Sequence, residues 1–287
     1  MSISTKCMLL SLRLGFWEGQ RFDRQATQEL TEQAQAEAGS ARVNKHLIRK
    51  EAFKSLATAR NAIRTHFYSE TLPWRDNGDR VITRAAYMGF IEDHQALAEK
   101  FKQEALTFCR DVYPAEVDRA SFRMGALFKR DDYPSPREVY RRFYVSLDID
   151  PIAEASDFRV EMGEAETDRI RAQIEQANRD RLGSAMAHVW GQLADVVNRF
   201  AERTAASGTI RVEVTRSIQD VVAKLPALNI IDDPQLEEIR QLVEHKLGGY
   251  DAAELRSNTA LRSKAADEAK AIADKMRGMM AAFGGGS

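Results

Sequence analysis

Cysteine is nearly absent: Cys7 and Cys109 are the two thiols in 287 residues. Without a C-x-x-C pair the chain supports neither a disulfide framework nor a cysteine zinc site. Two reduced thiols fit a cytoplasmic protein. Long apolar runs are missing too. No window approaches the roughly eighteen apolar residues that a membrane helix requires, so no membrane partner is expected. The early run from Cys7 to Trp17 contains Arg13 and lacks a small-residue cleavage site, which speaks against a signal peptide. Nor is there an excess of charge: 42 basic and 43 acidic residues give a net charge of −1. Overall charge therefore selects no partner, and only local patches could.

Catalytic motifs are also lacking. The chain has no G-x-x-x-x-G-K-[ST] loop to cradle phosphates and no G-x-G-x-x-G after a strand. It has no G-x-S-x-G elbow and no H-E-x-x-H pair. His46, His66, His94, His188 and His245 stand singly, without ligand spacing. Asp148 and Asp150 would share one face of a strand, about 6.7 Å apart, with Glu161 nearby. Such a group could hold magnesium. A nuclease-type site would also want a lysine just beyond the second acid, and Met162-Gly163 supplies none. The acids read as solvent-facing strand residues. No catalytic residue, metal ligand or cofactor is predicted.

What the sequence does have is apolar material in stripes: 44% hydrophobic and 30% charged residues. Leu10, Leu12, Leu14 and Phe16 alternate with polar residues, the period of a half-buried strand, and Gly15, Trp17 and Gly19 mark its end. A short exposed helix follows to Gly39, then a helix over residues 43–68. Asn77-Gly78 between short extended arms predicts a hairpin in Leu72–Ile82. An amphipathic helix through Ile91, Phe101 and Phe108 should close at Pro114, and another should span 115–129. Phe143, Val145, Leu147 and Ile149 predict a second strand, and Phe158, Val160 and Met162 a third.

From Glu164 a helix of about 40 residues is expected, roughly 60 Å long. Gly183 and Gly191 are candidate kinks. Its seam of Met186, Val189, Leu193, Val196 and Phe200 is too short for a classical coiled coil. A helix from Thr209 should end before Pro226, and Asp233-Pro234 should start the next. A last helix near residues 259–283, carrying Met276, Met279, Met280 and Phe283, should pack back on the long one. The fold class is mainly α (α+β). A small antiparallel sheet belongs to residues 1–162, an elongated helical hairpin or bundle to 163–283, and a flexible Gly-rich tail to 284–287.

Two surfaces qualify as candidate sites. Trp17 and Arg21 near the opening strand, and Trp74 and Arg75 in the hairpin, suit a protein contact if exposed. Residues 41–75 also hold eight basic and two acidic side chains. Arg42, Lys45 and Arg49 would share a helical face there, with Arg60 and Arg64 further along. Residues 119–142 add seven basic against three acidic residues, interleaved with Phe122, Phe128, Tyr133 and Tyr140. Charges and rings of this kind suit a nucleic acid.

The stretches "GFWEGQRFD", Asn44-Lys45, "LPWRDNGDRV", "DYPSP" followed by "RRF", and "LPALNIIDDPQL" run in order along nearly the whole chain. Together they resemble a family known as the domain of unknown function 3150, found in bacteria, phages and prophages. The resemblance implies a mobile-element protein, sometimes encoded near MoxR-type AAA+ ATPases or cobaltochelatase-like subunits, with no established reaction. The resulting expectation is a non-enzymatic accessory protein acting by protein–protein assembly, with self-association included. It would serve as an adaptor of an AAA+ system or an inhibitor of a host defence complex. The alternative is a nucleic-acid-binding protein using a basic helical face.

Overall fold

The computed structural model describes residues 3–158, 160, 163–206 and 208–284. In chain order its elements are α1 (Ile3–Lys6), β1 (Cys7–Gly15), β2 (Gln20–Phe22), α2 (Arg24–Gln33), β3 (Asn44–His46), α3 (Lys54–Glu70), β4 (Leu72–Pro73), β5 (Arg80–Thr83) and α4 (Arg84–Thr107). They continue as α5 (Tyr113–Arg123), α6 (Pro136–Tyr140), β6 (Tyr144–Pro151), α7 (Glu164–Ala205), α8 (Val212–Leu228), α9 (Pro234–Leu247), α10 (Ala252–Ser257) and α11 (Thr259–Gly284). The class is mainly α with a small sheet, as expected. The four-stranded sheet has the order β4-β5-β1-β6, and β2 pairs with β3 separately.

The chain forms two compact units. Unit 1 comprises residues 1–11, 68–90 and 149–287, and unit 2 comprises residues 12–67 and 91–148. This division differs from a boundary at 162/163. Residues distant in sequence build each core, and a reading along the chain sees only neighbours.

In unit 1, Leu72 pairs with Val81 and Cys7 with Thr83 across antiparallel ladders. The hairpin expected around Asn77-Gly78 is present, with Gly78 at φ 101°. The cross-strand neighbours Leu72, Val81 and Leu9 enter a core shared with Met186, Val189, Leu193 and Phe200 of α7 and with the stripes of α8, α9 and α11. Leu193 and Val197 are fully buried there, so α7's seam is completed within the chain. α11 packs back on α7, and Arg262 ties its start to the carbonyls of Thr204 and Gly208, both at 2.9 Å. α7 runs unbroken through Gly183 and Gly191. α9 starts as its sequence dictates: Asp233 accepts from the Gln235 amide at 2.9 Å, with Pro234 in the first turn.

Arg80 of β5 is buried with no carboxylate partner among the described residues. Its guanidinium stacks on Tyr68 and donates to the Thr71 hydroxyl at 2.6 Å and to the carbonyls of Tyr68 and Thr71. A cation thus meets the carbonyl-rich end of α3, the negative end of its dipole.

In unit 2, the core is aromatic. Trp17, Phe53, Phe101, Phe108, Tyr113 and Phe143 pack with Leu56 and Ile63 of α3. Phe53 stacks on Phe108 at 4.8 Å between centroids, and Trp17 meets Tyr113 edge-on at 5.6 Å. α2 begins at Asp23, whose carboxylate accepts from the Ala26 amide at 3.0 Å, and α6 begins at a Ser135–Glu138 capping box.

Several expected elements differ. Residues 44–46 are strand rather than helix, because β3 pairs with β2 and the Leu47 amide reaches the Gly19 carbonyl at 2.8 Å. Helix resumes only at Lys50, as a 3-10 turn. α2 stops at Gln33, before Gly39. Pro114 does not end its helix; a π turn over Phe108–Val112 carries the chain into α5. α5 stops at Arg123, two residues before Gly125 at φ 49°. Pro226 lies inside α8. Phe158 and Val160 are not in a strand; Met162, the side chains of Met280 and Phe283, and residues 285–287 of the expected tail lie outside the described residues.

Candidate interaction surfaces

One surface of unit 2 is built where α5 meets the segment after β3. Glu116 sits at its centre, buried between two arginines. Arg49 holds it bidentately, with Nε to Oε2 at 3.0 Å and Nη2 to Oε1 at 2.6 Å. Arg119, one turn along α5, adds Nη1 to Oε1 at 2.9 Å. These hydrogen bonds, chiefly that of Arg49, pull the Glu116 carboxyl down to about 2. One turn further, Arg123 donates from Nη2 to the carbonyls of His46 and Leu47, both at 2.9 Å. Three guanidiniums in a row are therefore positioned by one carboxylate and two carbonyls.

Phe122 lies beside them on α5 with 90% of its surface exposed. Leu127, in the 3-10 turn Gly125–Leu127, is 54% exposed. Phe128 is half-buried against Tyr133, whose hydroxyl reaches Met124 and the Leu47 carbonyl. Residues 42–50 carry four cations and no acid, and residues 117–130 carry four cations and one acid, Asp118.

The second surface belongs to unit 1. The first half of α7, from Glu164 to Ser184, contains no buried side chain, whereas its second half buries one face, from Ala185 and Met186 through Leu193 and Val197 to Thr204. Thr167, Ile170, Ile174, Ala177 and Arg181 are half-buried at alternating spacings of three and four. The charges around this stripe pair within the helix: Arg169 with Glu166, Arg171 with Asp168 and Arg179 with Glu175. Beside its end lies an open groove of about 550 Å³, lined in part by Ile3, Leu182, Ile230, Ile231, Glu175 and Arg179.

The side chains singled out in the sequence fare unevenly. Trp17 is 8% and Trp74 4% exposed, so neither is presented to a partner; each fills a core. Arg21 is spent on Asp132 at 3.3 Å and the Asp131 carbonyl at 3.0 Å. Arg75 pairs with Asp79 at 3.2 Å inside its hairpin. Arg42, Lys45 and Arg49 do not share a helical face, because that segment is not helical. Lys45 is buried between Asp23, at 3.0 Å, and Asp132. Burial alone would lower its pKa, but the bonds to Asp132 and Asp23 outweigh this and hold the ammonium above its ordinary value. Arg42 covers the Phe22 ring at 5.0 Å, and Arg60 the Phe16 ring at 4.2 Å. Arg64 is exposed. Of these nine residues, only Arg49 joins the α5 surface.

Arg119, Arg123 and Phe122 complete that surface. Their signal was the basic and aromatic tract at 119–142, in which Tyr133 turned inward and Phe122 outward. Asp148 pairs with Arg13, and Asp150 is exposed. Glu161 lies outside the described residues, and no cluster able to hold a metal ion exists among those that are described. Among the described residues, no helix is long and apolar enough to cross a membrane. No family model, curated protein or solved structure matches the chain.

Proposed function

We propose that this chain is a non-enzymatic phage or prophage accessory protein that works by protein–protein assembly in the host cytoplasm. Its role is that of an adaptor of an AAA+ ATPase system or an inhibitor of a host defence complex. The observation that supports assembly is the first half of α7. A helix segment of about 30 Å carries a half-buried seam at coiled-coil spacing, and its charges are already paired along its own surface. A second helix laid on that stripe would complete the burial of Ile170 and Ile174.

The magnitude constrains the partner. Finishing the burial of one isoleucine that is already half covered is worth about 1 kcal/mol. Association itself costs at least about 4 kcal/mol. Two isoleucines are therefore not a sufficient zipper, and the partner must also take up the neighbouring groove with Leu182 and Ile231. The test is light scattering behind size exclusion, together with a photo-crosslinking residue placed at position 170 in the cell. Self-assembly predicts a defined oligomer that Ile170→Asp with Ile174→Asp converts to monomer. A heterologous partner predicts one discrete cross-linked product that the Ile174→Asp change removes. A monomer that cross-links to nothing refutes the reading.

A further inference from the structure

We propose that the α5 surface of unit 2 binds single-stranded nucleic acid, with Phe122 as a base-stacking platform and Arg49, Arg119 and Arg123 as phosphate contacts. This rests on a different surface from the assembly reading and does not depend on it. The Phe122 ring contributes almost nothing to folding where it stands, since 90% of it faces solvent. A flat aromatic ring in that position offers what an unpaired base needs, a π face with free access. Arg119 and Arg123 flank it in sequence on α5, Arg49 and Arg119 share the one carboxylate Glu116, and the exposed acid on α5 is Asp118, one turn before Phe122.

The arginines are not exhausted by these bonds. Among the described residues, Arg123 donates from Nη2 to two carbonyls and Arg119 from Nη1 to Glu116. A guanidinium carries five N–H donors in a fixed fork, so donors remain for phosphate oxygens. Because the side chains are already held, less conformational freedom is lost on binding. A duplex is the poorer ligand, since its base faces are buried in its own stack.

Fluorescence anisotropy with a labelled oligothymidylate of about twenty nucleotides tests this, with the matching duplex as control. Each phosphate contact on a single strand contributes about −0.7 to the slope of log K against log salt, so three contacts give about −2. Phe122→Ala should weaken binding roughly thirtyfold, the middle of the range for one lost stacking contact. Phe122→Trp should retain binding, while Phe122→Leu, apolar but without a π face, should lose it. Arg123→Gln should flatten the salt slope by about 0.7. Phe122 is so exposed that its variants should fold normally, which circular dichroism can verify. Ile170→Asp should leave oligonucleotide binding unchanged.

The proposal is overturned if the oligothymidylate does not bind at roughly 50 mM salt, a condition that favours phosphate contacts. It is equally overturned if Phe122→Ala has no effect, if Phe122→Leu binds as well as Phe122→Trp, or if the duplex binds as tightly as the single strand. A Phe122→Leu variant that binds the oligothymidylate normally would show that the ring is not a stacking platform.

Discussion

Replacing Glu116 by glutamine isolates the electrostatic keystone of unit 2 without changing its shape. The wild-type carboxyl is held at about 2 against an ordinary 4.5, principally by the hydrogen bonds from Arg49 and then Arg119. Its folded pKa is depressed, so the stability it lends is fully present above pH 4.5 and is lost as pH falls toward 2. Converted directly, the shift corresponds to roughly 3.4 kcal/mol. Both arginines are about half exposed, with side-chain values of 45% and 64%, so solvent screening reduces this to about 2 kcal/mol. Linkage then places about three fifths of the loss above pH 3.

The assay is urea unfolding of wild type and Glu116→Gln at pH 7 and pH 3, followed by tryptophan fluorescence from Trp17 in the unit 2 core. Glu116→Gln should be about 2 kcal/mol less stable at pH 7 and about 1 kcal/mol less stable at pH 3, the gap closing as the wild-type carboxylate protonates. A gap of equal size at both pH values would refute the electrostatic account and leave only a packing role. No gap at pH 7 would show that the Glu116 carboxylate lends the fold no net stability.

Three further outcomes follow from the same contacts. Lys45→Met should cost about 2–3 kcal/mol, because it takes the shared cation from two buried carboxylates and leaves Asp132 only Arg21 and Asp23 its cap on the Ala26 amide; thermal unfolding reads this, and Lys45→Arg should recover part of it. Gly15→Ala should destabilise unit 2 by about 1–3 kcal/mol, since a Cβ there would overlap the Tyr144 ring and lie 2.9 Å from the Arg142 carbonyl; Gly39→Ala, with nothing within 4 Å, provides a control that reports only its φ of 95°. Ser135→Ala removes half of a capping box and should cost about 1 kcal/mol, measured by denaturant midpoint.

The sequence by itself determined the parts governed by neighbours along the chain. Asn77-Gly78 made a hairpin because one of its residues must take positive φ, and Asp233-Pro234 started a helix by capping it. The stripes of α7, α9 and α11 announced helices because a buried face repeats with the helical period. Tertiary structure decided what each exposed or charged side chain does. Val43 to Arg49 reads as helix until β2 offers a ladder and Gly19 a carbonyl to the Leu47 amide. Lys45 reads as a surface cation until Asp132, far along the chain, arrives to neutralise it. Trp74 reads as a candidate for a partner and Trp17 as a strand-end packing residue with a partner as the alternative, and cores close over both. Phe122 and Tyr133 belong to one aromatic tract, yet one is presented to solvent and the other is buried. Local propensity acts over a few residues, whereas burial and charge pairing depend on groups that only the folded chain brings within a few ångströms.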